Sequence, residues 1–438
     1  VTGLAPPPAA PPRPSEPPRP WSGEAQAGFR RAAWHEGRLQ FAAHPLLWPL
    51  SRLAHRGGRV LRVPRLGVLV NDALVAHEVL TRDDLFVKRG EGGIADVMTQ
   101  AFGPSALANM DGEPHRALRR RLGPLASAEQ ADAWLAASRA PLDRALAAFA
   151  RGETVDLART ARALAGRLTL TLLGLAPSAS DRARDVGVGE GADDDAFALE
   201  VHARGERIAS ALQLSRLPAR RLRAVQADLD ALLRHTQDAF ARDDLPPASL
   251  VARLRALGCD ADEVRGILSL FFVAGALTLG VALPRVAALL ADSGQLALVA
   301  RDAALVPRAV DEGLRYCCPV PLTLRLATRE TRVGHVSVRA GERVVVLTAN
   351  LARDPHLFPD PHRFDVTRGH DPRARYLWYG AGPHFCLGFT LAQRTLHDAV
   401  ARLAALGGRL EVVARVPSRG VLLPAWHSLV VRAGDATS

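Results

Sequence analysis

The chain has 438 residues, 48% hydrophobic and 23% charged, the balance of a globular protein rather than a disordered or fibrous one. Its formal charge of +11 does not mark a nucleic-acid binder: Lys88 is the only lysine, so all but one of the 56 basic residues are arginines, scattered with no basic run interleaved with aromatics. Cys259, Cys317, Cys318 and Cys386 have neither metal-finger spacing nor the density of a disulfide framework.

Residues 1–25 are rich in Pro and Ala without periodicity and are expected to be disordered, ahead of a single domain over 26–438. No leader pattern opens the sequence, so the expectation is a cytoplasmic protein. An apolar face recurs at helical spacing over 45–55. Residues 59–63 and 68–70, split by a Pro/Gly turn, predict a hairpin, and 76–80 predict a helix. From there to residue 314 the Ala/Leu/Arg pattern repeats with a period near 3.6 and predicts mostly helix. The Ser/Gly/Asp-rich stretch 178–195 interrupts it as an expected mobile connection.

Asp260-Ala261-Asp262-Glu263 reads as a helix start with an acidic cap and Glu at the third helical position. The run that follows, through Phe271, Ala274, Gly275 and Thr278, is apolar nearly all round and should cross the interior. The uncharged stretch 266–284 approaches the about 18 residues that span a bilayer. It lies alone in mid-chain and carries Ser269, Thr278 and Pro284, so a core helix is expected and no membrane contact. Ala274-Gly275 leaves a flat spot where a planar ligand can approach, and Thr278 projects a hydroxyl one turn on. A helical Thr can equally bond its own preceding carbonyl. Pro284 predicts a kink or an interruption of this helix. Further on, Glu312 and Arg315 share a helix face. Alternation over 329–347 and short apolar runs over 410–431 predict strands.

Cys386 stands in Tyr379-Gly380-Ala381-Gly382-Pro383-His384-Phe385-Cys386-Leu387-Gly388. The glycines permit a tight, bulged turn. A helix opening just after it would aim N–H groups at the sulfur and favour a thiolate ligand.

This string resembles the haem-binding loop of the cytochrome P-450 superfamily, of the soluble bacterial type, and the resemblance extends in order over about residues 30–430. It implies a mainly α fold with small β-sheets (α+β), a prism holding the haem between a long central helix and the Cys loop. Cys386 would be the axial thiolate of haem b, with dioxygen as co-substrate and Tyr379, Gly380, His384 and Gly388 around the cofactor. His115 and Arg119, at i, i+4, with Arg325 and His384, would meet its two propionates. Glu312, Arg315 and Arg363, the last from Phe358-Pro359-Asp360-Pro361-His362-Arg363-Phe364, would form a buried structural triad. Ala274, Gly275 and Thr278 resemble the family's oxygen-activation helix. By position, Phe271, Val273, Ala276, Leu277, Leu322, Leu324 and Leu422 would bound an apolar substrate cavity.

Two residues depart from the family pattern. Leu277 stands where an acid usually precedes the threonine, and Tyr379 where Phe is usual. The implied function is a monooxygenase that takes electrons from an external ferredoxin and ferredoxin reductase and oxidises a mainly apolar small molecule in bacterial specialised metabolism. Leu277 cannot relay protons, which leaves open a peroxide-dependent or radical-coupling haem enzyme. A haem-containing ligand-binding protein without turnover is a third reading.

Overall fold

The computed structural model describes residues 22–90, 93–175, 194–211, 218–242, 249–369, 371–372 and 374–434. The expected disordered stretch up to residue 21 and nearly all of the expected mobile connection at 178–195 lie outside them. Helix α1 (Gly23–Ala43) begins inside the segment expected to lack structure, because the Ser22 side chain accepts the Ala25 N–H at 3.3 Å and caps it.

Helix α2 (Leu47–Gly57) forms where the spacing predicts, but Leu46, Leu47, Leu50 and Leu53 all face solvent. Strands β1 (Val60–Val63) and β2 (Gly67–Val70) make the predicted hairpin, with Val60 opposite Val70. Next come α3 (Ala73–Thr81), β3 (Phe86–Val87), α4 (Ile94–Phe102), α5 (Gly112–Arg121), α6 (Ala128–Ser138) and α7 (Ala140–Ala150). They are followed by β4 (Val155–Asp156), α8 (Leu157–Leu173), α9 (Asp194–Ala211), α10 (Ala219–Arg242) and α11 (Leu250–Ala256). The central helix has two parts, α12 (Ala261–Leu270) and α13 (Ala276–Ser293), joined by a π-helical turn, Phe271–Gly275.

After α14 (Leu296–Arg301) and α15 (Val306–Cys317) the chain forms β5 (Thr323–Ala327), β6 (Thr331–Val333), β7 (Val336–Val338) and β8 (Arg343–Val346). It ends with α16 (Thr348–Leu351), α17 (Phe389–Ala405) and two eight-residue strands, β9 (Leu410–Pro417) and β10 (Trp426–Ala433). One sheet has the order β1-β2-β8-β5-β3, a second β4-β10-β9, and β6-β7 stand alone as a pair.

The central helix starts as its sequence dictates: Asp260 accepts the Glu263 N–H at 2.9 Å and Glu263 accepts the Asp260 N–H at 3.2 Å. It packs against α8, α1 and α15. The stretch Ala261–Ser293 is long and apolar enough to cross a membrane, but 71% of its most apolar window is buried inside the protein. The predicted interruption at Pro284 does not occur. Helix α13 runs through it, and the irregularity lies at the π turn instead.

Arg285, fully buried, pins this helix to α1 through Glu36, to the C-terminal end of the helix Val306–Cys317 through the Cys317 carbonyl and to the loop before β10 through the Pro424 carbonyl. Where α8 meets α9, Gly166 is required: a Cβ there would stand 1.9 Å from the Ala198 carbonyl oxygen. Cys317 and Cys318 are buried filler, with burial pushing both thiols up to about 12.

Candidate active site

One cavity of about 350 Å³ lies between the π turn and the Cys386 loop. Phe271, Ala274, Gly275 and Thr278 line it from the central helix, His115 and Arg119 from α5, and Arg325 from β5. Tyr379, Gly380, His384, Cys386 and Gly388 close the opposite side. The fold brings together residues that lie up to 273 positions apart in the chain only because β3, β5 and α5 meet at one edge of the Cys loop.

The π turn sets the helical wall. Its extra residue shifts the register so that Ala274 and Gly275 open onto the cavity while Val273 and Leu277 turn away and are buried. Thr278 Oγ1 donates to the Ala274 carbonyl at 2.8 Å, so its hydrogen is engaged while its lone pairs are available at the cavity wall.

Backbone hydrogen bonds shape the thiol loop. Cys386 N–H donates to the Tyr379 carbonyl at 3.1 Å, and Phe385 N–H to the Gly382 carbonyl at 3.0 Å. Gly382 has φ 65°, and a Cβ on it would stand 2.7 Å from the Leu80 carbonyl oxygen, so no other residue fits between the loop and α3. Helix α17 does begin just beyond the sulfur, at Phe389. The expectation that this alone favours thiolate needs correction: burial pushes the Cys386 thiol up, and the Gly388 N–H and Arg119 offset it only in part. Coordination to a metal cation is what deprotonates such a thiol outright.

At the polar edge, the His115 and His384 rings lie 4.1 Å apart, and His384 Nε2 is 3.5 Å from Asp111 Oδ1. Burial lowers His115 to about 4, His384 to about 3 and the Arg325 guanidinium to about 10. Arg325 Nη1 donates to Thr323 Oγ1 at 2.8 Å and to the Leu324 carbonyl at 2.9 Å. His115 Nδ1 is buried without a hydrogen-bond partner. Such an edge, rich in buried donors and poor in acceptors, facing a cavity with a thiol in its wall, fits an iron porphyrin that carries two carboxylates.

The structural triad is corrected in its third member. Glu312 accepts from Arg315 Nε at 2.7 Å and Nη2 at 2.8 Å, with both side chains fully buried. Its third partner is Arg368, at 3.2 Å, and not Arg363. The Arg363 side chain points outward to Asp360 and Asp365, and only its backbone carbonyl receives Arg315 and Arg368. The reason is a turn at Asp365, whose own N–H donates to Glu312 at 2.8 Å and whose carbonyl accepts the Arg368 N–H. That reversal carries Arg368 back into the core. On the neighbouring turn of α15, Asp311 accepts from Arg375 and from Gln393 of α17, each at 3.1 Å, tying both flanks of the thiol loop to the same helix.

Of the expected substrate positions, Phe271 lines the cavity, whereas Val273, Leu277, Leu322, Leu324 and Leu422 do not. The Ala276 side chain lies outside the described residues. The last two strands place Leu422 at 38% exposure, and Leu322 is 44% exposed, so both lie at the surface. Leu107 adds apolar wall, and Leu80, Leu168 and Leu172 supply more that spacing did not reveal. The Tyr379 ring packs against Phe389 at 5.0 Å, and burial, with the Cys386 sulfur, pushes the phenol well up while a hydrogen bond with Gln393 offsets this in part.

The cavity, with a thiol in one wall and buried cations along one edge, has the lining that a thiolate-held haem would need. The model of the cytochrome P450 family matches residues 302–403, which include α15 and the thiol loop. The 6-deoxyerythronolide B hydroxylase of Saccharopolyspora erythraea is 48% identical over 121 residues, 28% of either chain. Cytochrome P450 140 of Mycobacterium tuberculosis is 38% identical over 188 residues, 41% of either chain. The alignments thus span 41% or less of these relatives' own length. Among solved structures, a mutant of P450 EryK in complex with erythromycin B superposes with a TM-score of 0.71 at 22% identity, covering 90% of this chain and 98% of that one, a likeness of fold. Residues 302–403 thus match the cytochrome P450 family, and the chain shares the fold of solved cytochrome P450 structures.

Proposed function

We propose that the chain is a haem-thiolate monooxygenase of bacterial specialised metabolism, in which Cys386 would hold the haem iron and a mainly apolar small molecule is the substrate. The observation that carries the reading is the meeting of the Cys386 sulfur, the Thr278 hydroxyl and the buried cationic edge on one cavity. A thiolate-bound haem b supplies the redox chemistry, in which two electrons and two protons let dioxygen place one oxygen atom in the substrate and release the other as water. An external ferredoxin and its reductase deliver the electrons. The names of two relatives, a hydroxylase of 6-deoxyerythronolide B and an enzyme bound to erythromycin B, support a specialised metabolite as substrate.

The chain's own residues orient the reactants and exclude water. Leu107, Leu168, Leu172 and Phe271 exclude bulk water. The Thr278 oxygen, with its hydrogen held by the Ala274 carbonyl, accepts a proton donor from the cavity side. Leu277 adds no donor: it is buried against α9, with Cδ2 3.7 Å from the place a Gly205 Cβ would take. Protons therefore arrive through ordered water or a substrate hydroxyl.

With isotopically labelled dioxygen, ferredoxin and reductase, the product is expected to carry one labelled oxygen. Peroxide alone sustaining turnover at the same rate would favour the peroxide-dependent reading that Leu277 suggests. Absence of turnover with either oxidant would favour a binding protein. Leu277→Asp restores an acid beside Thr278 and is expected to raise product formed per reductant consumed by about twofold or more. An unchanged ratio and rate would place the proton path elsewhere.

A further inference from the structure

Lys88, the only lysine of the sequence, lines the same cavity as His115, Arg119, Arg325 and His384. Its place is built. Val87 pairs with Leu326 in register, which sets Lys88 beside the strand that carries Arg325. The Lys88 N–H donates to both Asp111 carboxylate oxygens at 3.1 Å, and the Arg89 N–H to one of them at 2.9 Å. Asp111 in turn faces His384. Among the described residues, neither the Lys88 ammonium nor the Arg119 guanidinium has a hydrogen-bond or ion-pair partner.

The charges of this edge do not balance within the protein. Lys88, Arg119 and Arg325 face a single nearby carboxylate, Asp111, because Asp83 is engaged by Arg116 at 2.6 Å. The two imidazoles, 4.1 Å apart, offer N–H groups to the same edge. The lysine and the two arginines exceed the carboxylate by two positive charges. In an iron porphyrin the ferric ion, the macrocycle and the Cys386 thiolate cancel one another, which leaves two carboxylates to be neutralised. With Lys88 the buried sum is zero; without it one anion is unmatched, a costly condition in a low-dielectric site.

Resting on the haem reading above, we propose that Lys88 is a carboxylate anchor of the cofactor, completing with Arg119 and Arg325 the charge that a dicarboxylate porphyrin requires. Burial and the two arginines push the Lys88 ammonium down to about 7, and an anion placed beside it reverses that pressure.

The test compares transfer of the cofactor from the purified protein to a haem-free myoglobin scavenger, using haem and its dimethyl ester, in which both carboxylates are uncharged. Lys88→Met is expected to speed loss of haem by about tenfold or more, as for a lost charge-assisted hydrogen bond, and to leave loss of the ester within about twofold. Lys88→Arg should restore retention. Equal acceleration for haem and ester would reduce Lys88 to a packing role, and no acceleration for either would remove it from the site; both overturn the proposal. The reduced carbonyl spectrum of the unaltered protein tests the haem reading separately, so failure of that reading is distinguishable from failure at Lys88.

Discussion

Cys386→Ala is expected to abolish the red-shifted Soret band that the reduced carbonyl complex of a thiolate-bound haem displays, while circular dichroism of the variant stays that of the parent. The loss is complete rather than graded because the loop offers no substitute: Cys259, Cys317 and Cys318 are buried elsewhere, and none of them lines the cavity. The loop itself should persist, since its shape depends on the Cys386 and Phe385 N–H bonds and on Gly382 rather than on the thiol. Absorption spectroscopy of the reduced, carbon monoxide-treated variant decides the matter. A retained band would mean that another group holds the metal, and the reading of the cavity would fall with it.

Glu312→Gln should produce the largest loss of stability. The carboxylate is fully buried and serves two guanidiniums, Arg315 and Arg368, as well as the Asp365 N–H. Removing its charge leaves two buried cations short of an anion, which costs about 3–5 kcal/mol for a broken buried pair. The same network discriminates the two candidate arginines. Arg368→Ala breaks buried bonds to Glu312 and to the Asp360 and Arg363 carbonyls and should approach that cost. Arg363→Ala removes only partly exposed pairs with Asp360 and Asp365 and should cost about 1 kcal/mol or less. Urea unfolding of the three variants checks the order. An Arg363 variant as damaged as the Arg368 variant would contradict the geometry.

Much of the site was legible because its chemistry is tied to local spacing. His115 and Arg119 share a face by being one turn apart, and the Cys386 loop carries its glycines where the backbone must turn sharply. The capping box at Asp260 likewise announced the central helix. Other residues hid behind more ordinary roles. Asp111 precedes α5 and reads as a plain helix-start residue, yet it collects two backbone N–H groups and faces His384. Lys88 carried one signal, its being a lone lysine among arginines, and no motif drew attention to it.

Sequence by itself determined the glycine-punctuated turn around Cys386, the helical setting of Ala274, Gly275 and Thr278 and the lack of an acid at 277, since each follows from residues within a turn or two of one another. Tertiary structure decided the rest. It put the break of the central helix at Phe271–Gly275 rather than at Pro284, turned Leu277 toward α9, and chose Arg368 over Arg363. The physical reason is that a buried charge takes whichever partner the chain's reversals deliver to it, and those reversals depend on contacts between segments that no local pattern records.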